Sequence, residues 1–324
     1  MKVVFKVFVG LLGGAAALQA ASAQSYPVRP IRLIIPVEAG SSTIDTIPRA
    51  LAQPLSAALG QPMVMDNRAG ASGQIGSAIA AKSAPDGYTL LVGYTTTLSI
   101  GPSVHTNLGY DPVKDLAPVA RLSVSSFVVA VNSAVPATNI KELIALAKAR
   151  PGQLNFASAG TGSTPHLCGE LLKTIAKIDM VHVPYKASGS AMTALAGGEA
   201  QVGCQTAGML LPLAKAGKLR ALAVAATQRL STLPDLPTTQ ESGLAGFEVE
   251  SWTGVMAPAK TPEPVIRRLY EEIARIVNTP DMKHFISAQG AEPALMDPAK
   301  FGAYINAERV KWAKVIKTAN VKPD

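Results

Sequence analysis

The sequence predicts an α/β fold in which two α/β lobes, joined by two crossing strands, enclose a cleft. Short apolar runs alternate with segments of helical periodicity along the chain, which is typical of βαβ units and a parallel-rich sheet. Two segments, 127–149 and 252–277, each run from an apolar strand through a proline-containing turn into a helix, as expected where a chain crosses between lobes. We therefore expect lobe 1 to contain residues 24–124 and 251–324, and lobe 2 to contain residues 125–250.

The first lobe opens with strands and helices in strict alternation. Its predicted elements are a buried strand at 31–36, a helix at 43–59, a strand at 63–65, a helix at 74–83 and a strand at 88–94. The tripeptide Gly60-Gln61-Pro62 ends the first helix. The turn Pro85-Asp86-Gly87 precedes the last of these strands, because proline fixes φ and glycine accepts a positive φ.

A second α/β unit lies between the two crossings. Its predicted strands are at 127–132, 154–157, 180–183, 201–205 and 219–225, and they alternate with helices at 139–149, 165–176, 190–196 and 209–216. Asn139 and Glu142 have the spacing of a capping box at the start of the first of these helices.

The chain then returns through a strand at 252–257 to a helix at 263–277. In that helix Val265, Leu269, Ile273 and Val277 recur every four residues and predict one buried stripe. A last helix, at 298–319, is expected to close back on the first lobe.

The first residues are typical of a secretory signal peptide. Lys2 and Lys6 form a basic n-region, residues 7–18 form an apolar core, and Ala21-Ser22-Ala23 is an A-x-A cleavage site. The apolar run is too short to span a bilayer comfortably, and no later stretch is long and apolar enough to do so. We therefore expect residues 1–23 to be removed and the mature protein to be periplasmic.

The composition describes a globular chain with a mild bias toward anionic ligands. Hydrophobic residues make up 48% and charged residues 16%, and the net charge of +8 becomes +6 once Lys2 and Lys6 are removed. The basic residues are scattered and are not interleaved with aromatics, so no nucleic-acid partner is expected. Aromatic residues make up only 5%, which argues against sugar platforms and quaternary-ammonium cages.

Catalytic signatures are missing from the sequence. It contains no nucleophile elbow, zincin motif or phosphate-binding loop motif, and its histidines show no metal-ligand spacing. Ser163 and His166 have the spacing of a nucleophile and a base, but at a predicted helix start they are more typical of a cap and a first-turn residue. We therefore expect no enzyme activity, no metal and no cofactor.

Two loops of small residues lead into predicted helix N-termini. Ala39-Gly40-Ser41-Ser42-Thr43 follows the first strand, and Ser158-Ala159-Gly160-Thr161-Gly162-Ser163-Thr164 follows the strand at 154–157. Each offers backbone amides, hydroxyls and the positive end of a helix dipole, which together suit an anion. Either loop alone could be an ordinary capped turn, but the pair indicates an anion site between the lobes.

Two cysteines, Cys168 and Cys204, lie far apart in the second lobe and form no CxxC motif. An oxidising compartment permits a disulfide between them, and two free buried thiols are equally compatible with the sequence.

Ordered motifs extend along nearly the whole mature chain. They include Pro30-Ile31-Arg32-Leu33-Ile34-Ile35-Pro36, Asn67-Arg68-Ala69-Gly70-Ala71, Pro85-Asp86-Gly87-Tyr88-Thr89-Leu90-Leu91, His182-Val183-Pro184-Tyr185-Lys186 and Leu236-Pro237-Thr238-Thr239-Gln240-Glu241-Ser242-Gly243. With these motifs the chain resembles the Bug, or TctC-like, extracytoplasmic binding receptors of tripartite tricarboxylate transport. The resemblance implies a type II periplasmic-binding fold, a Venus flytrap that closes on a dicarboxylate, an acidic amino acid or an aromatic carboxylate through amides, hydroxyls and waters.

The resemblance also implies which residues bind the ligand. They are Ala39, Gly40, Ser41, Ser42, Thr43, Asp45, Asn67, Gly73, Gln74, Thr95, Thr96, Thr97, Ser158, Ala159, Gly160, Thr161, Gly162, Ser163, His166, Tyr185, Lys186, Gln205 and Thr206. The family loop usually reads Ala-Gly-Gly-x-x-Asp, whereas here Ser41 replaces a glycine and Asp45 lies one residue later. Because its charge would oppose a carboxylate, Asp45 is expected to face a cationic group of the ligand or to cap its helix.

The partners implied by the resemblance are a small organic anion and the membrane permease subunits of a tripartite tricarboxylate-type transporter. The receptor is expected to be a monomer. A periplasmic sensor that presents a carboxylate to a signalling partner is the alternative that the residues leave open. An enzyme on the same fold would need a reactive constellation that the sequence lacks.

Overall fold

The strands fall into two groups, each flanked by helices, and one long strand belongs to both. The computed structural model of the chain describes residues 26–40, 42–230 and 232–321, so the predicted signal peptide at 1–23 lies outside the described residues. Within the described part of the chain, no helix has the length and apolar character needed to cross a membrane. The two groups agree with the predicted two-lobed α/β fold, and we call them the first and second lobes.

The first lobe is built mainly from the chain before residue 116. Its elements are β1 (Ile31–Ile35), α1 (Thr43–Leu59), β2 (Met63–Asn67), α2 (Gln74–Ala81), β3 (Thr89–Tyr94), a π-helical turn (Thr96–Ile100) and α3 (Gly101–Val104). Strands β1, β2 and β3 are parallel, with β1 in the middle. Helix α1 packs on them because Ile47, Leu51, Leu55 and Leu59 are buried at helical spacing.

Strand β4 (Leu116–Asn132) passes from the first lobe to the second. Up to Ser126 it pairs antiparallel with β9 (Glu250–Pro258), and from Phe127 onward it pairs with strands of the second lobe. The sequence predicted only the segment 127–132 as a strand, because polar residues interrupt the segment before it. Two of these, Ser123 and Ser125, are nevertheless buried.

The second lobe follows the crossing. Its elements are α4 (Ile140–Ala149), β5 (Asn155–Ser158), α5 (Thr164–Ala176), β6 (Val181–Pro184), α6 (Ser188–Gly197), β7 (Val202–Thr206), α7 (Ala207–Lys215) and β8 (Leu219–Val224). The strand order is β4–β7–β5–β6, with β5 parallel to both neighbours and β8 paired with β4. The N-cap half of the predicted capping box is confirmed, since Asn139 Oδ1 accepts from the Glu142 amide at 3.0 Å, whereas the Glu142 carboxylate accepts from the amide of Thr138, one residue before the cap, at 2.7 Å.

The chain returns to the first lobe through β9 and adds four further elements. They are α8 (Glu263–Val277), α9 (Pro280–Ala288), β10 (Glu292–Met296) and α10 (Pro298–Thr318). The sequence did not predict α9 or β10, which are short; β10 pairs antiparallel with the first half of β4. In α8, Leu269, Ile273 and Val277 are buried as predicted, whereas Val265 is half-buried.

Helix α10 packs on both lobes, so the expectation that it closes on the first lobe holds only for its first half. Phe301 and Ile305 pack in a cluster with Trp252, whereas Trp312 and Ile316 join the core of the second lobe. The buried stripe recurs every three or four residues along the whole helix, which at about 1.5 Å per residue is long enough to reach both lobes. The assignment of residues to rigid lobes stays a prediction.

A disulfide joins Cys168 in α5 to Cys204 in β7, with their Cα atoms 6.2 Å apart. Both residues are buried. The bond therefore attaches α5, the helix that begins after the loop at 158–164, to β7, a central strand of the second lobe.

Removal of this bond should destabilise the protein. We expect Cys168→Ala/Cys204→Ala to lower the free energy of unfolding by about 2–4 kcal/mol, because the unfolded chain regains the freedom that the bond removes. Urea denaturation of the double variant and of the unreduced wild type measures the difference. Thiol titration of denatured, unreduced wild-type protein should find no free thiol, and two titratable thiols would contradict the assignment.

Candidate functional site

The predicted site residues follow the carboxyl ends of parallel strands in both lobes. Residues 39–40, 42–45, 67–74 and 95–97 lie at or after the carboxyl ends of β1, β2 and β3, so they lie along one edge of the first lobe. Residues 158–166, 185–186 and 205–206 follow β5, β6 and β7 along one edge of the second lobe. Ligands of open α/β sheets bind outside such strand ends.

The carboxylate of Asp45 holds the first loop in place. Its side chain is 1% exposed and accepts hydrogen bonds from the Gly40 amide at 2.8 Å, from Arg49 at 2.7 and 3.0 Å and from Asn67 Nδ2 at 2.9 Å. Asn67 Nδ2 also donates to the Val37 carbonyl, and Asn67 Oδ1 accepts from Arg49. Within the protein the cationic partner of Asp45 is Arg49, one turn later on α1, so these contacts do not favour a second cationic partner, and the expectation that Asp45 faces a cationic group of the ligand stays a prediction.

The ionised form of Asp45 is stabilised by these donors. Burial would raise the pKa of Asp45, but the hydrogen bonds from Arg49, Asn67 and the Gly40 amide outweigh it and hold the pKa below its ordinary value. Since Arg49 compensates the charge, the carboxylate does not repel an anion at this loop. Ser41, the residue that replaces the family's glycine, lies outside the described residues.

The entry to α2 carries a buried side-chain amide, that of Gln74. Gly73 has φ +91°, and a Cβ there would lie 2.9 Å from Thr97 Cγ2, so the position requires glycine. Gln74 Oε1 accepts from the Tyr110 hydroxyl at 2.6 Å. Gln74 is only 7% exposed, yet its Nε2 has no hydrogen-bond partner among the described residues.

The three threonines after β3 have different partners. Thr95 Oγ1 accepts from the Trp252 amide at 2.9 Å and Thr97 Oγ1 donates to the Tyr94 carbonyl at 3.1 Å, so both hydroxyls serve the first lobe itself. Thr96 Oγ1 lies 3.3 Å from Thr164 Oγ1, at the start of α5. This hydrogen bond joins the lobes directly, so the structure has a closed arrangement at this point.

The second loop is a tightly bonded turn that ends at the N-terminus of α5. Ser158 Oγ accepts from the Gly160 amide at 3.1 Å, and Ser163 Oγ donates to the Gly160 carbonyl at 2.6 Å. Ser163 also caps α5 by accepting from the His166 amide. The predicted cap is therefore confirmed, and the side chains of Ser163 and His166 do not pair as a nucleophile and a base. Ala159 is half-buried, and Thr161 is exposed at the tip.

A stack of rings lies beneath this loop. The rings of His166 and His182 are 3.9 Å apart, and His182 stacks on Phe156 at 4.9 Å. The Gly162 amide donates to His166 Nδ1 at 3.0 Å, which requires a neutral imidazole with its hydrogen on Nε2. Burial, followed by the charges of His182 and Lys173, lowers the pKa of His166 to about 3. Burial and Lys173 lower the pKa of His182 to about 4.

The ends of β6 and β7 complete the edge of the second lobe. The Tyr185 amide donates to the Ser158 carbonyl at 2.9 Å, and Lys186 is exposed. Thr206 is the residue that precedes α7. Gln205 is 3% exposed, and like Gln74 it has an Nε2 without a hydrogen-bond partner among the described residues.

Sequence reasoning missed three residues that shape the site: Arg49, Val104 and Tyr110. Arg49 was detectable, because it follows Asp45 at the i, i+4 spacing of a helical ion pair. The other two act through contacts between distant segments, which no local pattern reveals. In the described parts of the chain, no group of three or more His, Cys, Asp or Glu side chains could hold a metal ion.

Comparison with known proteins gives consistent matches over almost the full chain. The family described as tripartite tricarboxylate transporter family receptor matches residues 47–321. The protein BugT of Bordetella pertussis is 37% identical over 322 residues, which are 98% of this chain and 97% of BugT. The matched family is one of receptors rather than of enzymes.

Solved structures with bound ligands are similar over the same length. The R. palustris protein Rpa4515, solved with adipate, is 34% identical with a TM-score of 0.85, and the match covers 92% of this chain and all of that one. MatC from Rhodopseudomonas palustris, solved with bound malate, is 31% identical with a TM-score of 0.79, and the match covers 90% of this chain and all of that one.

The Asp45 network can be tested by neutralising its carboxylate. We expect Asp45→Asn to lower the free energy of unfolding at neutral pH by about 1–3 kcal/mol, because an amide cannot accept all the hydrogen bonds from Gly40, Arg49 and Asn67. The pKa of Asp45 is lower in the folded than in the unfolded protein. The stabilisation that its ionised carboxylate provides is therefore fully present above the unfolded pKa and is lost as the pH falls through the folded pKa. The two proteins should therefore converge in strong acid.

Urea denaturation at neutral and acidic pH measures the effect. Asp281→Asn is the matched control, since Asp281 is also in the first turn of a helix but is exposed; it should change stability by less than about 0.5 kcal/mol. Equal losses in both variants would contradict the role of the network.

The buried histidines should make stability depend on pH. Between pH 6.5 and about 3 the unfolded chain binds a proton at residue 166 that the folded protein does not, so stability should fall as the pH is lowered through this window. We expect His166→Gln to reduce the slope of unfolding free energy against pH there, and His284→Gln, an exposed histidine on α9, to leave it unchanged. An identical slope in wild type and His166→Gln would refute the neutral, buried imidazole.

Proposed function

The chain belongs to the tripartite tricarboxylate transporter receptor family of solute-binding proteins, and from this premise we propose that it captures a small aliphatic dicarboxylate in the cleft between its lobes. It does so in the periplasm, after secretion through the signal peptide at 1–23, and as a monomer delivers the ligand to the permease subunits of a tripartite tricarboxylate-type transporter.

The observation that carries the proposal is a pair of unpaired amides, one on each lobe. Gln74 Nε2 and Gln205 Nε2 are buried donors without partners among the described residues; Gln74 is the first residue of α2 and Gln205 is the last but one of β7. A buried NH₂ group without a partner costs about 1–3 kcal/mol, so each is expected to meet an acceptor. A ligand with an acceptor group at each end satisfies both donors at once.

The two loops supply the remaining donors for the anion. The Ser42 side chain makes no capping hydrogen bond at the start of α1, so first-turn amides remain there for a ligand. At the start of α5, Pro165 has no N–H and Ser163 caps the His166 amide, so the Thr164 amide is the donor that remains in the first turn. Each helix N-terminus also carries about half a positive charge. Neutral donors and helix dipoles thus replace a buried cationic side chain as the source of anion affinity.

The choice of a dicarboxylate over an acidic amino acid follows from Asp45. An amino-acid ligand brings an ammonium group that needs an anionic or carbonyl partner, but the Asp45 carboxylate is already saturated by Gly40, Arg49 and Asn67. Adipate and malate, the ligands of the similar proteins Rpa4515 and MatC, are both free of amines.

Calorimetric titration of the refolded, ligand-stripped protein with adipate, malate and glutamate tests the proposal. We expect a dicarboxylate to bind and glutamate to bind more weakly. In the same titration Thr161→Asp should lower the affinity for the bound dicarboxylate at least about tenfold, or about 1.4 kcal/mol, because it places a negative charge in the second loop. The melting temperature of the ligand-free variant should differ little from that of the ligand-free wild type, since an acidic residue near a helix start is tolerated.

The matched control is Thr279→Asp, which puts the same charge at the start of α9, a helix that packs on α1, α8 and β10. It should leave the affinity unchanged. An absence of binding by every dicarboxylate would refute the ligand class. Unchanged affinity in a well-folded Thr161→Asp variant would show that the second loop is only a capped turn.

A further inference from the structure

The lobes meet backbone to backbone at two glycines. Gly208 is the second residue of α7, and Gly290 lies between α9 and β10. A Cβ added at Gly290 would lie 2.5 Å from Gly208 Cα and 2.6 Å from Gly208 N, and a Cβ added at Gly208 would collide with the Gln289 carbonyl oxygen. Side chains do not approach backbone this closely, so the contact exists only because both residues are glycine.

Strand pairing places this contact at the crossing between lobes. Glu292, two residues after Gly290, pairs with Val124 of β4, and Thr206, two residues before Gly208, pairs with Phe127 of β4. Strand β4 leaves the first lobe and enters the second between these two partners. The glycine pair therefore lies beside the segment about which the lobes would rotate.

Local conformation does not explain the glycine at position 208. In a helix, glycine is about 1 kcal/mol less favourable than alanine, so a residue chosen for helix formation alone would be alanine. Gly290 has φ +72°, a conformation that asparagine also adopts, but any side chain there would meet Gly208. The close approach of the two backbones is the feature that both positions share.

The two lobes also approach closely at a second place, between the first lobe and the start of α5. Thr96 and Thr164 are within hydrogen-bond distance, and a Cβ at Gly162 would lie 3.0 Å from Val104 Cγ2. The atoms that a side chain at either glycine would meet are backbone atoms, so the backbone on one side of the contact must shift to accommodate it.

We propose that the backbone contact between Gly208 and Gly290, beside the crossing strands, permits closure of the lobes because neither residue has a side chain. A Cβ at either position disfavours the closed arrangement and thereby weakens ligand binding, since only the closed form brings donors of both lobes to the ligand. The ligand-binding part of this inference rests on the proposed function, whereas the geometric part does not.

The test measures the distance between the lobes directly. Spin labels on cysteines introduced at Arg267 in α8 and Lys141 in α4, both exposed, report the interlobe distance by pulsed electron paramagnetic resonance in unreduced protein. We expect Gly208→Ala to shift this distance distribution away from that of the wild type and to lower the affinity for adipate about tenfold. Gly189→Ala is the matched control, because Gly189 is the second residue of α6 and a Cβ there meets nothing within 4 Å.

A second pair of variants keeps the test decisive if Gly208→Ala does not fold. Gly290→Asn should shift the distance in the same way, whereas Gly246→Asn, at φ +75° and with open space around it, should not. Distance distributions that match the wild type in Gly208→Ala and Gly290→Asn would overturn the proposal. If adipate binds none of the proteins but the distances shift as expected, the role of the contact between Gly208 and Gly290 is supported and the proposed ligand class is refuted.

Discussion

The backbone of β4 cannot find all its hydrogen-bond partners in one lobe. Up to Ser126 it bonds to β9, and from Phe127 it bonds to β7 and β8, so both lobes are attached to the same strand. Because buried backbone groups need partners, neither lobe can detach from this strand without losing them. The cleft, the facing strand ends and the contact between Gly208 and Gly290 all follow from that shared strand.

In the proposed site, affinity for an anion does not depend on a buried cationic side chain that is reserved for the ligand. The charged groups at its first loop, Asp45 and Arg49, compensate each other and fix the loop. Burying an unpaired charge for the ligand would cost several kcal/mol in the ligand-free protein. The amides of Gln74 and Gln205 cost less when unpaired, so neutral donors suit a receptor that must also release its ligand.

Regular periodicity made most of the fold predictable. The helices at 43–59 and 263–277 were predicted with their observed bounds, because apolar residues recur on one face. The polar first half of β4 and the short α9 and β10 carry no such signal. At the site, the two loops of small residues were recognised from local composition, but the hydrogen bond from Asn67 to Asp45 and the pairing of Cys168 with Cys204 depend on distances between segments that the sequence does not encode locally.

The central claim is that one ligand satisfies neutral donors from both lobes. A crystal structure of the adipate complex tests it most directly, by measuring the distances from the ligand carboxylates to Gln74 Nε2 and Gln205 Nε2. The account predicts that each amide donates to the ligand, directly or through one ordered water, with the lobes closed and Arg49 still bonded to Asp45. A complex in which both amides remain unpaired, or in which Arg49 leaves Asp45 to bind the carboxylate, would contradict it.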